Sequence, residues 1–590
     1  MENSPLQARY GSDVMAQMLR ELDVDYAAVN PGSTFRGLHD SIVNFLGNTK
    51  PEMILCNHEG VAVAFAHGYA KVTGKPAVAI VHDTVGLLHC TLQIYNAFLD
   101  RAPVIVLGGA GPMATEKRRP GVDWTHTTLV QGNAVRDFVK WDDQPASLAG
   151  VPNSLIRAYQ IAVTDPEGPV YVAFDVETQE EVLTGEFPLP DVTRHAMPSP
   201  PQADEDAIKR VAKLLVKAKD PVVIAGRTGR NHTAAASLAA LAELMALPVI
   251  DNGTFNLPNT HPLNLTGAAR DLLKKADVIL GLDVSDMQAA LSTSETQDRS
   301  STRLITPKDC QLIHITQTHA ATKSWPASYF KLMPVDIPIA ADTALALPLL
   351  TATCDRLLTK ARRTELKERF GNLKAQHDAI RKQWQDAARK GAKSSPIATS
   401  WLASQLWDVI KDEDWALVNG NFGGWSRRLW EGEESYRYAG GGGLASGIGH
   451  SLGAAVAHLP KSRLCIAFES DGDLMYSPSA LWTAAHHNIP LLIVMNNNRS
   501  YYNSEAHQHA LAVSRGRPVE NQGTGTRIES PDMDYAALAR SFGVPGVGPI
   551  EKPEDLRKAL KEAVRVVREE KRPALVDVVT QARARGLGVE

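Results

Sequence analysis

The chain has 590 residues, with 62 basic and 66 acidic side chains, a formal net charge of −4 and an apolar fraction of 44%. These values are typical of a globular protein of about three to four domains, and the even spread of charge excludes a nucleic-acid or anionic-membrane partner held by bulk electrostatics. The N-terminus has no apolar signal region, no apolar run reaches the roughly 18 residues that span a bilayer, and the 5 cysteines are scattered without a CxxC pair, so we expect a cytoplasmic protein without structural zinc.

Residues 1–186 alternate between helical and strand-like patterns. Apolar helical spacing covers residues 11–22, and an Ala-rich helix follows His58-Glu59-Gly60 as far as residue 72. Strands are predicted at residues 26–29, 53–56, 77–81, 103–107 and 169–174. Strands separated by helices predict a parallel sheet that is covered by helices on both faces.

A second unit of the same kind is predicted over residues 204–350, after a proline-rich linker. Its strands are predicted at residues 222–225, 248–250, 278–282 and 312–315. The turn from Gly226 to Arg230 is an incomplete G-x-G-x-x-G pattern, so it is only a weak indication of a dinucleotide site. The plainer interpretation is a surface turn between a strand and a helix. A charged helix over residues 364–393 is predicted as a solvated connection to the next unit.

The third predicted unit covers residues 395–590. Its strands are predicted at residues 416–418, 464–468, 491–495 and 574–579, and its helices at 447–457 and 478–487. A glycine run at residues 440–443 precedes the first of these helices. The polar stretch 501–530 is predicted to be loop-like, as a lid over a pocket or as a plain surface loop.

Polar residues follow two neighbouring strands of this third unit. Glu469-Ser470-Asp471-Gly472-Asp473 ends the first strand, and Asn496-Asn497-Asn498-Arg499-Ser500 ends the second. The carboxyl ends of parallel strands meet at one edge of a sheet, where ligands bind. Carboxylate and amide oxygens suit Mg²⁺, and Gly472 would let the backbone approach a diphosphate. The alternative is two polar turns without a metal.

The spacing of this segment resembles the thiamine-diphosphate motif, which opens with Gly-Asp-Gly and closes with Asn-Asn. Asp471 and Asn498 are 27 positions apart (498 − 471), as in that family. The resemblance implies that Asp471, the Asn498 side chain and the backbone carbonyl of Ser500 bind Mg²⁺, and that Gly472 and Asp473 belong to the cofactor site. Ser470 departs from the pattern, since it stands where the family has its first glycine.

The order of units resembles the thiamine-diphosphate decarboxylase and synthase superfamily over nearly the whole chain. The segment from His58-Glu59-Gly60 to Gly74 and the segment from Tyr95 to Pro103 carry the resemblance in the first unit. It implies an α/β fold of three doubly wound parallel-sheet domains: a pyrimidine-binding domain at 1–186, a central domain at 204–350 and a diphosphate-binding domain at 395–590.

The resemblance also implies roles for three residues beside the metal site. Glu59 would bond to N1′ of the cofactor pyrimidine and promote loss of the proton on the thiazolium C2. Gly442 would present its carbonyl to the aminopyrimidine, and Leu444 would act as the apolar wedge that holds the cofactor bent. The plainer alternatives are a helix-start glutamate and a core leucine.

Two further residues resemble the substrate site of benzoylformate decarboxylase. Ser33 follows Asn30-Pro31-Gly32, and His82 ends the strand predicted at 77–81. By this resemblance they handle the substrate carboxylate and the proton transfers, which suits an imidazole near its ordinary pKa. The alternatives are a turn or N-cap serine and a strand-end histidine. The residues after His82 differ from those that relatives have at the same positions, so we do not infer the substrate from any one relative.

These features predict an enzyme that depends on thiamine diphosphate and Mg²⁺ and decarboxylates a small 2-oxo acid, with or without carboligation. One alternative is a C–C lyase or hydrolase acting on an acyloin or 1,2-diketone, and another is a non-enzymatic relative. Whether FAD binds is left open. The resemblance places Glu59 and Asp471 across a subunit interface, so we expect a homo-oligomer. The minimum is a dimer, and the predicted state is a tetramer.

Overall fold

The computed structural model describes residues 7–253, 255–293, 303–318, 333–434, 437–438 and 440–581. Over these ranges the chain forms three sheets of parallel strands, one after another along the sequence. None of the described helices combines the length and apolarity needed to cross a bilayer.

The first domain is built on a six-stranded parallel sheet. Its strands are β1 (Tyr26–Val29), β2 (Glu52–Leu55), β3 (Ala77–Val81), β4 (Val104–Ala110), β5 (Asp142–Asp143) and β6 (Val170–Asp175), in the order β2-β1-β3-β4-β6-β5. Its helices are α1 (Gly11–Glu21), α2 (Arg36–Asp40), α3 (Glu59–Thr73), α4 (Thr84–Leu99), α5 (Asp123–His126), α6 (Val151–Val163) and α7 (Val176–Glu180). Along β3, Val78 and Ile80 enter one hydrophobic core and Ala79 and Val81 the other, so the sheet is buried on both faces.

The central domain has a five-stranded parallel sheet with its own cores. Its strands are β7 (Pro221–Ala225), β8 (Val249–Asp251), β9 (Val278–Leu282), β12 (Gln311–Ile315) and β13 (Ile337–Ile339), in the order β13-β12-β9-β7-β8, and the short antiparallel pair β10 (Ser292–Thr293) and β11 (Arg303–Leu304) lies apart from it. Its helices are α8 (Glu205–Lys217), α9 (His232–Met245), α10 (Ala269–Leu273), α11 (Met287–Ala290) and α12 (Thr343–Leu357). The connecting helix α13 (Lys360–Lys390) is mostly solvated but buries Leu366 and Leu373.

The third domain repeats the parallel arrangement with five strands. Its strands are β14 (Trp415–Asn419), β15 (Leu464–Ser470), β16 (Leu491–Asn497), β17 (Gly546–Ile550) and β18 (Ala574–Val579), in the order β14-β15-β16-β18-β17. Its helices are α14 (Thr399–Ile410), α15 (Trp425–Leu429), α16 (Gly447–His458), α17 (Asp471–Leu474), α18 (Ala480–His486), α19 (Tyr502–Ser514), α20 (Tyr535–Ser541) and α21 (Pro553–Arg565). Ser470 pairs in register with Asn496, so β15 and β16 end at the same level.

The first and third domains share one hydrophobic core. Helices α3 and α16 pack against each other at that core, with Val61 and Phe65 on one side and Ile448 and Leu452 on the other. The helices approach so closely that a Cβ added at Gly453 would lie 1.9 Å from the backbone oxygen of Phe65. This contact fixes the position of Glu59, because Glu59 is the first residue of α3.

The fold confirms the prediction of parallel α/β sheets and corrects several details. The structure adds strands β5, β10, β11, β13 and β17, which the sequence patterns did not predict. Pro103, Pro169 and Pro248 lie just outside the strands they were predicted to begin, as expected for residues without an N–H. The prediction of a loop from residue 501 onward is wrong, since α19 covers Tyr502–Ser514.

Candidate functional site

The predicted metal ligands meet at the carboxyl edge of the third sheet. The backbone N–H of Ser500 donates to Asp471 Oδ2 at 3.1 Å and to Asn498 Oδ1 at 3.0 Å. The turn between β16 and Ser500 is sharp, with Arg499 at a φ of 55°. The two side-chain oxygens that we predicted as Mg²⁺ ligands therefore lie around one N–H group.

Asp471 is a buried carboxyl group with a shortage of positive charge. It is 1% exposed, and burial raises its pKa to about 6. Hydrogen bonds from backbone N–H groups, of which the bond from Gly472 has the largest effect, act in the opposite direction and lower the pKa. Over the described part of the chain, no basic side chain forms an ion pair with it. Such a carboxylate is stabilised when a cation binds beside it, so the donor set fits a divalent metal.

A second pair of acids lies beside Asp471. Glu469 is buried, and burial together with the neighbouring Asp473 carboxylate raises the pKa of Glu469 well above its usual range. Glu469 accepts a hydrogen bond from Asn419 at 2.7 Å, while its Oε1 has no hydrogen-bond partner within the part of the chain that the structure describes. Asp473 Oδ1 accepts the N–H of Ala445 at 2.7 Å. The predicted cofactor residue Asp473 thus ties the strand end to the glycine-rich segment.

The glycine-rich segment before α16 brings Gly442 and Leu444 to the same edge. Gly443 has a φ of 89°, and an added Cβ there would lie 2.6 Å from the Asn96 side chain, so this position requires glycine. Asn96 Nδ2 donates to the Leu444 carbonyl at 2.9 Å. The Leu444 side chain is 58% exposed, so it is not the core leucine of the plainer interpretation and is available to pack against a bound group.

Glu59 begins α3 and is 7% exposed. Its Oε2 lies 3.2 Å from His89 Nδ1, and the His89 ring stacks on the His58 ring with centroids 5.2 Å apart and an interplanar angle of 10°. His58 caps the helix, since its Nδ1 accepts the N–H of Gly60. Glu59 is therefore held between a helix start and an exposed imidazole.

The first and third domains meet beside Glu59 within one chain. Gln93 of α4 lies 3.0 Å from where a Cβ on Gly60 would be, and its Nε2 donates to the Ala445 carbonyl at 3.3 Å. The glycine-rich segment and the start of α3 are thus connected through one side chain. The prediction that Glu59 of one chain and Asp471 of another complete a site stays a prediction.

His82 follows β3 and is half-buried near Glu59. Its Nδ1 lies 2.9 Å from the N–H of Asp83 and 2.9 Å from Thr34 Oγ1. Burial lowers the pKa of His82, while the negative charges of Asp83 and Glu59 partly oppose that shift. The half-buried imidazole is therefore neutral near pH 7.

The structure places Ser33 apart from this contact. Ser33 is exposed and lines a groove of about 520 Å³ together with Arg36 and His39. Its neighbour Thr34, which is buried, makes the hydrogen bond to His82. Among the described residues no hydrogen bond joins Ser33 to His82, so this contact does not support the role predicted for Ser33.

Two arginines that could offer a positive charge to a substrate carboxylate, Arg36 and Arg230, are engaged in ion pairs. Arg36 pairs with Glu180 at 2.5 Å, and Arg230 pairs with Asp165 at 2.8 Å. Arg227 lies 3.6 Å from Asp100. The turn at 226–230 thus joins the central domain to the first domain. It does not indicate whether FAD binds.

Sequence reasoning missed the residues that surround His82 and Glu59. Thr34, His89 and His126 come from separate segments and carry no spacing signal that links them. His126 lies in α5, and its ring stacks on His82 with centroids 5.2 Å apart. His89 lies six residues after Asp83 in a helix that follows His82, which suggests that it is near the predicted site. That position alone does not distinguish a site residue from a surface residue.

These features define an enzyme class that holds thiamine diphosphate between a pyrimidine-binding and a diphosphate-binding domain. Three family models for the thiamine pyrophosphate enzymes match the chain: the N-terminal TPP binding domain at residues 9–133, the central domain at 208–350 and the C-terminal TPP binding domain at 419–578. Together they cover more than half of the sequence. The chain belongs to the thiamine-diphosphate-dependent decarboxylase and acetolactate synthase superfamily, which confirms the resemblance.

Full-length relatives agree with this assignment. The probable acetolactate synthase large subunit of Methanococcus aeolicus is 25% identical over 593 residues, covering 94% of this chain and 90% of that protein. The benzoylformate decarboxylase of Pseudomonas aeruginosa is 24% identical over 550 residues, covering 90% and 92%. The crystal structure of benzoylformate decarboxylase from Polynucleobacter necessarius superposes with a TM-score of 0.73 at 18% identity, covering 98% of this chain and 100% of that one. That likeness supports the fold.

Proposed function

We propose that the protein uses thiamine diphosphate and Mg²⁺ to decarboxylate a small 2-oxo acid, with or without joining the product to a second carbonyl compound. The observation that carries this proposal is the meeting of the Asp471 and Asn498 oxygens around the Ser500 N–H. The identity of full-length relatives, both synthases and decarboxylases, supports the reaction class.

The residues of this chain divide the work of holding the cofactor. Asp471, Asn498 and the Ser500 carbonyl would hold Mg²⁺, with Gly472 and Asp473 at the diphosphate. Gly442 and Leu444 would hold the other end, and Glu59 would bond to the pyrimidine. When bound, thiamine diphosphate supplies a carbon nucleophile and an electron sink for the carbon that loses the carboxylate.

His82 would contact the substrate. It lies near the Glu59 carboxyl, since a Cβ on Gly86 would lie within 2.8 Å of His82 and 3.1 Å of Glu59. A neutral imidazole there can donate a hydrogen bond to a substrate oxygen without bringing a second charge beside Glu59. Ser33 is kept in the proposal as a second substrate residue, to be tested by substitution.

The proposal includes a homo-oligomer. Helix α4, which follows His82, leaves an apolar stripe exposed at Val85, Leu88, Leu92, Tyr95 and Leu99. Their spacing puts them on one face of the helix, and a second copy of the chain would bury that face. A dimer is the minimum and a tetramer is expected. An active Leu88→Lys variant that sediments as a monomer would overturn this part.

Product analysis tests the function. The purified protein is supplied with thiamine diphosphate and Mg²⁺ and given pyruvate, benzoylformate, a branched 2-oxo acid, benzoin or cyclohexane-1,2-dione, with Asp471→Asn as the matched control. Release of CO₂ supports the proposal, and an acyloin beside it identifies a synthase. Cleavage of benzoin or the dione without CO₂ would make the protein a lyase or hydrolase instead.

Two measurements complete the test. Absence of thiamine diphosphate binding in the presence of Mg²⁺ would leave only the non-enzymatic relative. The visible spectrum of the purified protein decides whether FAD is bound. The 5 cysteines are free and buried, which fits the reducing compartment of the proposed cytoplasmic location.

A further inference from the structure

A second histidine lies against the proposed substrate residue His82. The ring of His126 stacks on the ring of His82 with centroids 5.2 Å apart and an interplanar angle of 21°. His126 is the last residue of α5, in the segment that joins β4 to the rest of the first domain. It is half-buried, whereas Trp124 in the same turn is 74% exposed.

The segment that carries His126 is tied down on both sides of the stack. Thr127 Oγ1 donates to Asp83 Oδ2 at 2.6 Å, and the N–H of Thr128 donates to Thr84 Oγ1 at 3.1 Å. Thr127 Oγ1 also accepts the N–H of Gly111 at 3.1 Å. Asp83 is fully buried. The stack is therefore anchored by hydrogen bonds to the residues that directly follow His82.

The neighbours of His82 determine which of its nitrogens carries the proton. The N–H of Asp83 points at His82 Nδ1 at 2.9 Å. A backbone N–H can only donate, so Nδ1 accepts and the neutral ring carries its proton on Nε2. Adding a proton at Nδ1 would set two N–H groups against each other. His82 is thus fixed as a neutral hydrogen-bond donor.

The neighbours of His126 determine the opposite tautomer. Its Nδ1 lies 3.0 Å from the carbonyl oxygen of Val122 and 3.2 Å from Thr125 Oγ1, whose own proton is donated to the same carbonyl at 2.7 Å. A carbonyl can only accept, so Nδ1 carries the proton and Nε2 of the neutral ring holds a lone pair. Protonation at Nε2 leaves the bond to Val122 intact. His126 can therefore gain and lose a proton without losing a partner.

We propose that His126 exchanges protons with the substrate, and that His82 serves as a neutral donor that holds a substrate oxygen. This inference rests on the proposed function and assigns the proton-transfer role away from His82. In the decarboxylation, the bond between the carboxylate and the carbonyl carbon breaks and CO₂ leaves. The electron pair left on that carbon takes one proton from protonated Nε2 of His126, and solvent returns a proton to the imidazole. The reaction consumes one proton overall.

Two matched substitutions separate the roles. His126→Asn keeps an N–H near Nδ1 for Val122 but removes the Nε2 atom that donates the proton, so kcat should fall at least about 100-fold with little change in KM. His82→Gln keeps an N–H near Nε2, so kcat should stay within roughly tenfold of wild type. The exposed His195→Asn is the control. Added imidazole should restore part of the activity of His126→Ala. Loss in His82→Gln as large as in His126→Asn, or full activity in His126→Asn, would overturn the proposal.

A measurement without turnover keeps this test separate from the proposed function. Diethyl pyrocarbonate reacts with an unprotonated imidazole nitrogen, and mass spectrometry of peptides locates the product. At neutral pH His126 should react faster than His82, because the lone pair on His126 Nε2 has no hydrogen-bond partner among the described residues, whereas the lone pair on His82 Nδ1 accepts the N–H of Asp83. Faster reaction at His82 would overturn the tautomer assignment even if no tested 2-oxo acid is a substrate.

Discussion

Substituting Gly453 by alanine tests how the shared core positions Glu59. The added Cβ would lie 1.9 Å from the backbone oxygen of Phe65 in α3, and ordinary contact begins near 3.4 Å. Because the obstacle is backbone on a packed helix, α3 and α16 would have to separate by about 1.5 Å. Gaps of this size forfeit much of the dispersion energy along the interface. We expect Gly453→Ala to destabilise the protein by roughly 3 kcal/mol.

The assay compares Tm by differential scanning fluorimetry with a glycine that has space around it. Gly371 lies inside α13, and nothing lies within 4 Å of an added Cβ there. Gly371→Ala should leave Tm unchanged or raise it, since alanine favours a helix by about 1 kcal/mol over glycine. Gly453→Ala should lower Tm by roughly 5 °C or more. It should also weaken thiamine diphosphate binding, because the separation displaces Glu59 from the third domain.

Equal melting of Gly453→Ala and wild type would refute the reasoning, since it would show that the helices do not pack as closely as described. Normal cofactor affinity in a clearly destabilised Gly453→Ala would refute only the link to Glu59. Gly68→Ala gives an independent repeat, because its Cβ would lie 1.9 Å from the His450 carbonyl oxygen.

Three further predictions concern single side chains. Asp471→Asn should weaken Mg²⁺-dependent thiamine diphosphate binding by at least about 100-fold in isothermal titration calorimetry, because the buried carboxylate is lost; unchanged affinity would contradict the metal assignment. Glu59→Gln should still bind the cofactor, by fluorescence titration, but lower the rate of CO₂ release by about 100-fold or more; a normal rate would remove Glu59 from the proposal. Burial lowers the pKa of His458 from its ordinary value of 6.5 to about 4. The free energy of unfolding that the neutral buried imidazole contributes is therefore complete above pH 6.5 and is lost as the pH falls through 4, by up to about 3 kcal/mol. His458→Gln should therefore lose less Tm over this interval than wild type, and an equal loss would show that His458 is not responsible.

Where the sequence predicted the fold well, local patterns were decisive. The strands at 77–81, 278–282 and 574–579 were predicted with the bounds that the structure shows, because each is a short apolar run between turn residues. The strand β17 was missed because Gly546, Gly548 and Pro549 obscure its alternation. Helix α19 was missed because polar side chains fill most of its first half, and its apolar residues at 510–513 follow one another instead of forming one face; only Glu505 is buried.

The closeness of Asp471 and Asn498 could be predicted because it depends on two adjacent strand ends. Asp471 and Asn498 follow β15 and β16, which are neighbours in one sheet, and that topology alone brings them together. The surroundings of His82 depend on tertiary packing instead. Thr34, His126 and His82 come from three segments of the first domain, and no regular spacing connects them.

The shared core has a consequence for how the chain is made. Helix α16 packs on the face of α3 that the strands and helices of the first domain leave uncovered, so a nascent first domain leaves the ribosome with that face of α3 exposed. The central domain has separate cores and can complete its folding while the first domain waits for the third. We therefore expect truncations that end after the central domain to aggregate through the exposed face of α3, and to be rescued by a separately expressed third domain.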